Sequence, residues 1–280
     1  MTIEEVIEDK GYAISRSNLD NWRNPSVCVA NTSSLILCTS GSAEVEINML
    51  KYEITEFSFF GVLQDSLVKL IRATDDFSVV ELRILYETGL SATAGLPTET
   101  IHNLFLSECR LISNLNERTL ILSLLAALEA YTELPKYANH ADLAYGMIRS
   151  LYISLSDICT RDFPGKSHSM TYSSADYYFM NFVTLLNKYC RHQHDVAFYA
   201  GELNITPKYL NEITRKKVNH TAKEVITHFI VAQLKRELLV SNNSVQFIAS
   251  EFAFCDQSSL GKFFKKATGV SPIAYRRCNK

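Results

Sequence analysis

The feature that most constrains this 280-residue chain is a pattern that occurs twice near its C-terminus, 50 residues apart. Each copy has a helix-capping residue, a core leucine, a second apolar residue, a basic pair, and a residue that tolerates a left-handed backbone before a hydroxyl. The paired positions are Thr206 and Asp256, Leu210 and Leu260, Ile213 and Phe263, Arg215-Lys216 and Lys265-Lys266, Asn219 and Gly269, and Thr221 and Ser271. The duplication predicts two copies of one small structural unit.

The second copy has the pattern of a helix–turn–helix. An apolar face formed by Ile248, Ala249 and Phe252 predicts a first helix, and Asp256 can cap a second one after a break. The second helix has a predicted buried stripe of Leu260, Phe263, Phe264 and Ala267 and an opposite stripe of Ser258, Gly261, Lys262 and Lys265. One face is core and the other is small, polar and basic, as a helix in the major groove requires.

The first copy predicts the same unit. Pro207 follows the cap, where a missing N–H does no harm. A long helix over Thr221–Val240 would join the two units, and Asp176–Tyr189 would open this all-helical domain.

The C-terminal residues resemble the signature of the AraC/XylS family of bacterial transcription regulators. The matching residues are Ala249, Phe254, Asp256-Gln257-Ser258, Leu260, Phe263 to Lys266, Gly269, Ser271-Pro272 and Tyr275 to Arg277. Three residues depart from the family pattern: Ala253 where Gly is usual, Ser259 where an aromatic is common, and Gly261 inside the helix. A helical glycine costs about 1 kcal/mol relative to alanine, so Gly261 predicts a less rigid helix or a close approach to DNA.

The resemblance implies a non-enzymatic regulator that binds double-stranded DNA and acts with RNA polymerase, as an activator in many members. The residues expected to read bases are Lys208, Asn211, Glu212, Gln257, Ser258, Ser259 and Lys262. Asn and Gln suit adenine, Lys suits guanine, and Glu can accept from cytosine. Glu212 would repel a phosphate, so the first unit is expected to bind more weakly.

A second set of basic residues is expected to contact phosphates, which sets register and salt dependence but carries no base information. These residues are Arg215, Lys216, Lys217, Lys265, Lys266, Arg276 and Arg277. Any one of them could equally be an ordinary solvated side chain. The duplicated spacing favours the DNA interpretation.

Charge is divided unevenly along the chain. Residues 190–280 contain 14 Lys and Arg against 7 Asp and Glu, whereas residues 1–189 contain 14 against 23. Only the C-terminal third is therefore expected to meet a polyanion. The seven cysteines are scattered with no C-x-x-C pair, and the N-terminus has no signal-peptide pattern, which favours reduced thiols in the cytoplasm.

Alternating apolar residues predict β-structure from Val27 to Leu85. The predicted strands are Leu35–Cys38, Ala43–Ile47, Met49–Ile54, Phe57–Leu63, Leu67–Ala73 and Ser78–Leu85, with a turn at 39–42. Their rhythm resembles the cupin-like sensing domain of many family members, with room for one small-molecule effector. Residues 1–101 contain no histidine, so a metal-dependent barrel enzyme is not expected, and no cofactor is predicted.

Helices are predicted between the two halves. One begins at Thr98 and includes Ile112, a second covers Glu117–Thr132, and a third covers Asn139–Thr160. The apolar surface of the second helix, built around Leu120, Leu124, Leu125 and Leu128, is wider than one face needs. It is expected to pack on the barrel or on a second copy in a homodimer, although complete burial in the core is an alternative.

Together these patterns predict a multidomain α+β chain. Its parts would be a cupin-like β-barrel or sandwich over 1–95, a helical connection over 96–160 that could dimerise, a linker over 161–175, and an all-α double helix–turn–helix domain over 176–280.

Two other functions compete with regulation. A DNA-targeted alkyl-transfer enzyme would need an activated cysteine, yet no histidine lies near Cys28 or Cys38 in the sequence. An interaction protein with a vestigial helix–turn–helix would show no salt dependence with DNA. A metal or catalytic role for His192 and His194 is disfavoured because residues two apart face different sides of a helix, so a capped loop is predicted there.

Overall fold

The structure is a computed structural model that divides into two compact units. It describes residues 2–23, 27–28, 32–64, 66–96, 104–105, 109–135, 139–161 and 174–279. The first unit contains residues 1–25, 29–47 and 51–168, and the second contains residues 26–28, 48–50 and 169–280.

Two β-sheets form the framework of the first unit. The strands are β1 Tyr12–Ser17, β2 Val27–Cys28, β3 Thr32–Ser40, β4 Ser42–Ile47, β5 Leu50–Thr55, β6 Ser58–Val62, β7 Leu67–Ala73, β8 Ser78–Leu85 and β9 Arg110–Leu111. One sheet has the order β1-β8-β3-β6-β9, with antiparallel pairing of β8 to both β1 and β3. The other contains β7, β4 and β5 in that order.

The sequence predicted most of these strands but misplaced one turn. Both β7 and β8 begin and end at the predicted residues. The predicted turn at 39–42 is wrong, because β3 continues to Ser40 and β4 starts at Ser42. Gly41 alone makes the turn, with φ at 69°, and a side chain there would lie 2.5 Å from the Thr74 hydroxyl. Strand β1 was not predicted.

Four helices accompany the sheets: α1 Ile3–Lys10, α2 Tyr86–Thr93, α3 Leu115–Glu133 and α4 His140–Arg161. Residues Val80, Leu82 and Ile84 of β8 are buried in one hydrophobic core with residues of α3 and α4. Strand alternation places Glu81 on the opposite face of the sheet, where it is also buried. Helices α1 and α2 were not predicted.

Three helix predictions in this unit need correction. The predicted centre of α3 is rotated, since Leu120 is 49% exposed while Ile121 is buried. Leu143, expected in the core of α4, is 51% exposed. The helix predicted from Thr98 to Ile112 lies largely outside the described residues, and its end is wrong because β9 pairs with β6.

The second unit is helical, as predicted. Its helices are α5 Ser174–Tyr189, α6 Val196–Glu202, α7 Pro207–Val218, α8 Ala222–Val240, α9 Val245–Glu251, α10 Gln257–Thr268 and α11 Pro272–Asn279. Each is at most two residues from its predicted bounds. The interior of the predicted linker, residues 162–173, lies outside the described residues. Within the described part of the chain, no helix is both long and apolar enough to cross a membrane.

Candidate nucleic-acid interface

The helix pairs α6–α7 and α9–α10 turn in the same way. In the first turn Asn204 has φ at 54°, and the Ile205 amide donates to the Ala200 carbonyl at 3.0 Å. In the second turn Ala253 has φ at 52°, and the Phe254 amide donates to the Ala249 carbonyl at 2.9 Å. Both turns therefore end their first helix in a Schellman-type motif with a left-handed residue.

A side-chain cap starts the second helix of each pair. The Thr206 hydroxyl accepts from the Tyr209 amide at 3.2 Å, and the Asp256 carboxylate accepts from the Ser259 amide at 2.7 Å. Hydrogen bonds from the Ser259 amide and hydroxyl hold the pKa of the Asp256 carboxyl below its usual value. The predicted caps are confirmed.

The two turns differ in length by one residue. The first helices start 49 residues apart, at Val196 and Val245, whereas the second start 50 apart, at Pro207 and Gln257. Cys255 is the additional residue. Sequence comparison at a single shift of 50 did not detect this insertion, although a second shift of 49 over the preceding helix would have shown it.

Both second helices, α7 and α10, bury one face. Leu210, Leu260 and Phe264 have no exposed surface, and Ile213 is 2% exposed. The predicted stripe of α10 is partly wrong, because Phe263 is only half-buried and Ala267 is exposed. The buried arc of α10 is therefore narrower than predicted.

The predicted base-reading residues separate into two groups by their surroundings. Five are exposed on α7 and α10: Lys208, Glu212, Gln257, Ser258 and Lys262. The remaining two, Asn211 and Ser259, are half-buried and bonded within the chain. Ser259 donates to the Asp256 carboxylate.

Asn211 makes a contact that the sequence did not reveal. Its amide oxygen accepts from the Ala222 amide at 2.9 Å, at the start of α8, and its amide nitrogen donates to the Pro207 carbonyl at 3.0 Å. The side chain thus satisfies one of the free N–H groups of α8. A base contact by Asn211 would compete with this bond.

The predicted phosphate-contacting residues are mostly exposed. Arg215, Lys216, Lys265, Lys266 and Arg277 have exposed side chains, and Lys217 and Arg276 are half-buried. Arg276 differs from the others because its Nε donates to the Leu238 carbonyl at 3.0 Å, at the end of α8. Part of its guanidinium therefore supports the fold.

The ends of α7 and α10 repeat each other as well. Asn219 and Gly269 both adopt left-handed conformations, with φ at 57° and 82°. The next helices are capped by Thr221, whose hydroxyl accepts from the Glu224 amide, and by Ser271, whose hydroxyl accepts from the Ala274 amide, both at 3.2 Å. The duplication thus extends from the first turn to the following helix.

The histidine pair before α6 lies in a loop, as predicted. The His194 ring packs on Phe254 with centroids 5.1 Å apart, and its burial lowers the pKa of the imidazole. Asp195 occupies the cap position of α6 without a side-chain hydrogen bond. Among the described residues, no three His, Cys, Asp or Glu side chains are grouped so as to hold a metal ion.

The cysteines of the first unit are poor nucleophiles. Burial raises the pKa of the Cys38 thiol to about 11 and that of Cys109 to about 12. A reactive cysteine needs a lowered pKa, so neither thiol suits alkyl transfer at neutral pH. The side chain of Cys28 lies outside the described residues.

Comparison with known proteins agrees with this geometry. A family model described as a helix-turn-helix domain matches residues 199–278. The C-terminal unit is therefore a DNA-binding domain with two helix–turn–helix pairs. It belongs to the AraC/XylS type, as the sequence predicted.

Among individual relatives, the raffinose operon transcriptional regulatory protein RafR of Pediococcus pentosaceus is 33% identical over 75 residues. This match covers 27% of this chain and 27% of that protein. A structure of ToxT from Vibrio cholerae is 14% identical, covers 96% of this chain and 98% of that chain, and has a TM-score of 0.48. The C-terminal domain of AraT from Geobacillus stearothermophilus is 24% identical over 35% of this chain and 84% of that one, with a TM-score of 0.31.

Proposed function

We propose that this protein is a sequence-specific, DNA-binding transcription regulator of the AraC/XylS type that works in the cytoplasm. The observation that supports this proposal is the pair of capped helix–turn–helix units whose solvent faces are basic. Both second helices would enter the major groove on one side of the DNA, about 34 Å apart for successive turns. If the chain holds them closer, the DNA must bend, at a cost of about 1–6 kcal/mol.

Within this proposal, the exposed residues of α10 read bases most strongly. Gln257, Ser258 and Lys262 have no competing role in the fold, whereas Asn211 and Ser259 are hydrogen-bonded inside the unit. Lys208 and Glu212 would read bases from α7. Phosphates would be bound by Arg215, Lys216, Lys217, Lys265, Lys266, Arg276 and Arg277.

The experiment is selection of binding sites from random duplex DNA, followed by affinity measurements on the selected sequence. Lys262→Ala should alter the preferred base at one position and cost about 1–3 kcal/mol of discrimination. Lys51→Ala, which removes an exposed lysine of the first unit, is the control and should leave the selected sequence unchanged. Unchanged base preference in both Lys262→Ala and Asn211→Ala would refute the assignment of the reading helices.

We further propose that the sheets of the first unit form a cupin-like sensing barrel for a small polar effector. Support comes from buried Glu81, which accepts from the Ser34 hydroxyl at 2.8 Å and from the Arg83 guanidinium at 3.0 Å. An effector acts only through different affinities for two states of the chain. The single tryptophan, Trp22, is buried against Phe60 and offers a fluorescence signal for binding in this unit. A screen of small metabolites that leaves both this signal and DNA affinity unchanged would count against sensing.

Dimerisation and contact with RNA polymerase are parts of the same proposal. Helix α3 exposes Leu115 by 73%, Leu120 by 49% and Leu122 by 36%, which is costly for a monomer. Sedimentation should show a dimer that Leu115→Glu with Leu122→Glu weakens. Transcription from a promoter containing the selected site, with purified RNA polymerase, would show whether output rises or falls.

A further inference from the structure

Gly261 lies inside α10, one residue before Lys262, where a glycine weakens the helix. Packing within the chain gives no reason for it. A side chain built at Gly261 would meet no heavy atom within 4 Å beyond the helix's own nearby backbone. At Gly61, by contrast, it would lie 2.4 Å from the Leu104 carbonyl oxygen, so that glycine is required by the fold.

The equivalent position in the first unit shows what a side chain does there. Asn211 occupies this position in α7, and its amide oxygen accepts from the Ala222 amide. Pro272 stands at the position equivalent to Ala222 and has no N–H to satisfy. Position 261 is therefore released from the structural task of Asn211.

Open surroundings alone do not mark a contact, because Gly146 in α4 also has nothing within 4 Å. Gly261 differs in its location, since Ser258, Lys262 and Lys265 expose their side chains on the adjoining face of α10. A bare backbone there allows base edges, or a thymine methyl group, to approach the helix more closely than any side chain permits.

We infer that Gly261 is a specificity-determining position at which the α10 backbone lies directly against the major groove. This inference rests on the proposed function. It assigns a task in recognition to a residue that contributes no side chain, and it explains why the helix keeps a residue that weakens it. The first unit cannot approach DNA in this way, because Asn211 covers the same flank of α7.

The test replaces Gly261 by Ala and by Leu, which are both strong helix formers. In the full-length protein, Gly261→Ala should raise the Tm of the C-terminal unit by about 4 °C, as expected for a helix of that unit that loses its glycine. Affinity for the DNA sequence selected by the wild-type protein should fall about tenfold for Ala and further for Leu. Affinity for a duplex without that sequence should not change. Gly146→Ala is the matched control, expected to stabilise the first unit and to leave DNA affinity unchanged.

The outcomes separate this inference from the proposed function. If the wild-type protein selects no sequence, the regulator proposal fails and the inference fails with it. If the wild-type protein selects a sequence and Lys262→Ala weakens binding, but Gly261→Ala and Gly261→Leu bind as tightly as wild type, only the inference is overturned. Loss of affinity in Gly261→Ala with an unchanged or raised Tm supports it.

Discussion

Replacing Ala253 by glycine should stabilise the C-terminal unit, although glycine usually destabilises a folded chain. Ala253 has φ at 52° and is exposed, so the exchange removes backbone strain without removing a packing contact. The left-handed conformation costs an alanine about 1–2 kcal/mol. The greater freedom of glycine in the unfolded chain offsets about 0.4–1 kcal/mol of this gain. The net increase in the free energy of unfolding should be about 0.5–1 kcal/mol.

The matched control applies the same chemical change to a residue with helical backbone. Ala267 is exposed within α10, so Ala267→Gly should lower the free energy of unfolding by about 0.8–1 kcal/mol. Asn204→Gly, in the turn of the first unit, should change it little because asparagine tolerates the left-handed region.

Thermal unfolding followed by far-UV circular dichroism measures these differences. Trp22, the only tryptophan, lies in the first unit, so its fluorescence shows separately whether that unit is unaffected. A change of 1 kcal/mol corresponds to about 4–8 °C for a unit of this size. If Ala253→Gly and Ala267→Gly both lowered the Tm, Ala253 would not be left-handed in solution and the reasoning would be wrong.

Other predictions follow from the same contacts. Lys266→Ala should reduce the salt dependence of DNA binding by about one unit of slope without changing base preference, whereas Arg276→Ala should do so and also lower the free energy of unfolding by about 1 kcal/mol, because Arg276 bonds to the Leu238 carbonyl; denaturant titrations of both variants check this. Glu81→Ala should cost about 3 kcal/mol in unfolding followed by tryptophan fluorescence, since it leaves a half-buried guanidinium unpaired, and a loss below 1 kcal/mol would contradict it. The pKa of His194 is lowered by burial, so the unfolded chain binds a proton first, and the contribution of His194 is complete above about pH 6.5 and lost as the pH falls through the folded pKa. His194→Gln should therefore flatten the Tm profile between about pH 7.5 and 5.5, and an equal flattening in the control His192→Gln would count against this cause.

Local chemistry made the C-terminal unit predictable from sequence. Caps such as Thr206 and Asp256, and chain reversals at Asn219 and Gly269, depend on residues a few positions apart, so their positions could be read directly. Strands β7 and β8 were predicted because each has clear flanking turn residues.

Other features depend on neighbours that are distant in sequence. The bond from Asn211 to the start of α8 spans 11 residues, and that of Arg276 spans 38, so helical periodicity gave no sign of either. Strand β9 was taken as helix because Arg110 and Leu111 pair only with β6, more than 50 residues away. The predicted roles of the base-reading and phosphate residues stay predictions.

The hydrogen bond between Asn211 and the start of α8 has a consequence for how such a protein acquires new targets during evolution. A substitution at Asn211 that suited a different operator would leave the Ala222 amide without its acceptor, so it would be selected against for its effect on folding. The second helix–turn–helix has no such constraint at the same position. Divergence among descendants of this gene should therefore accumulate in α10 before α7.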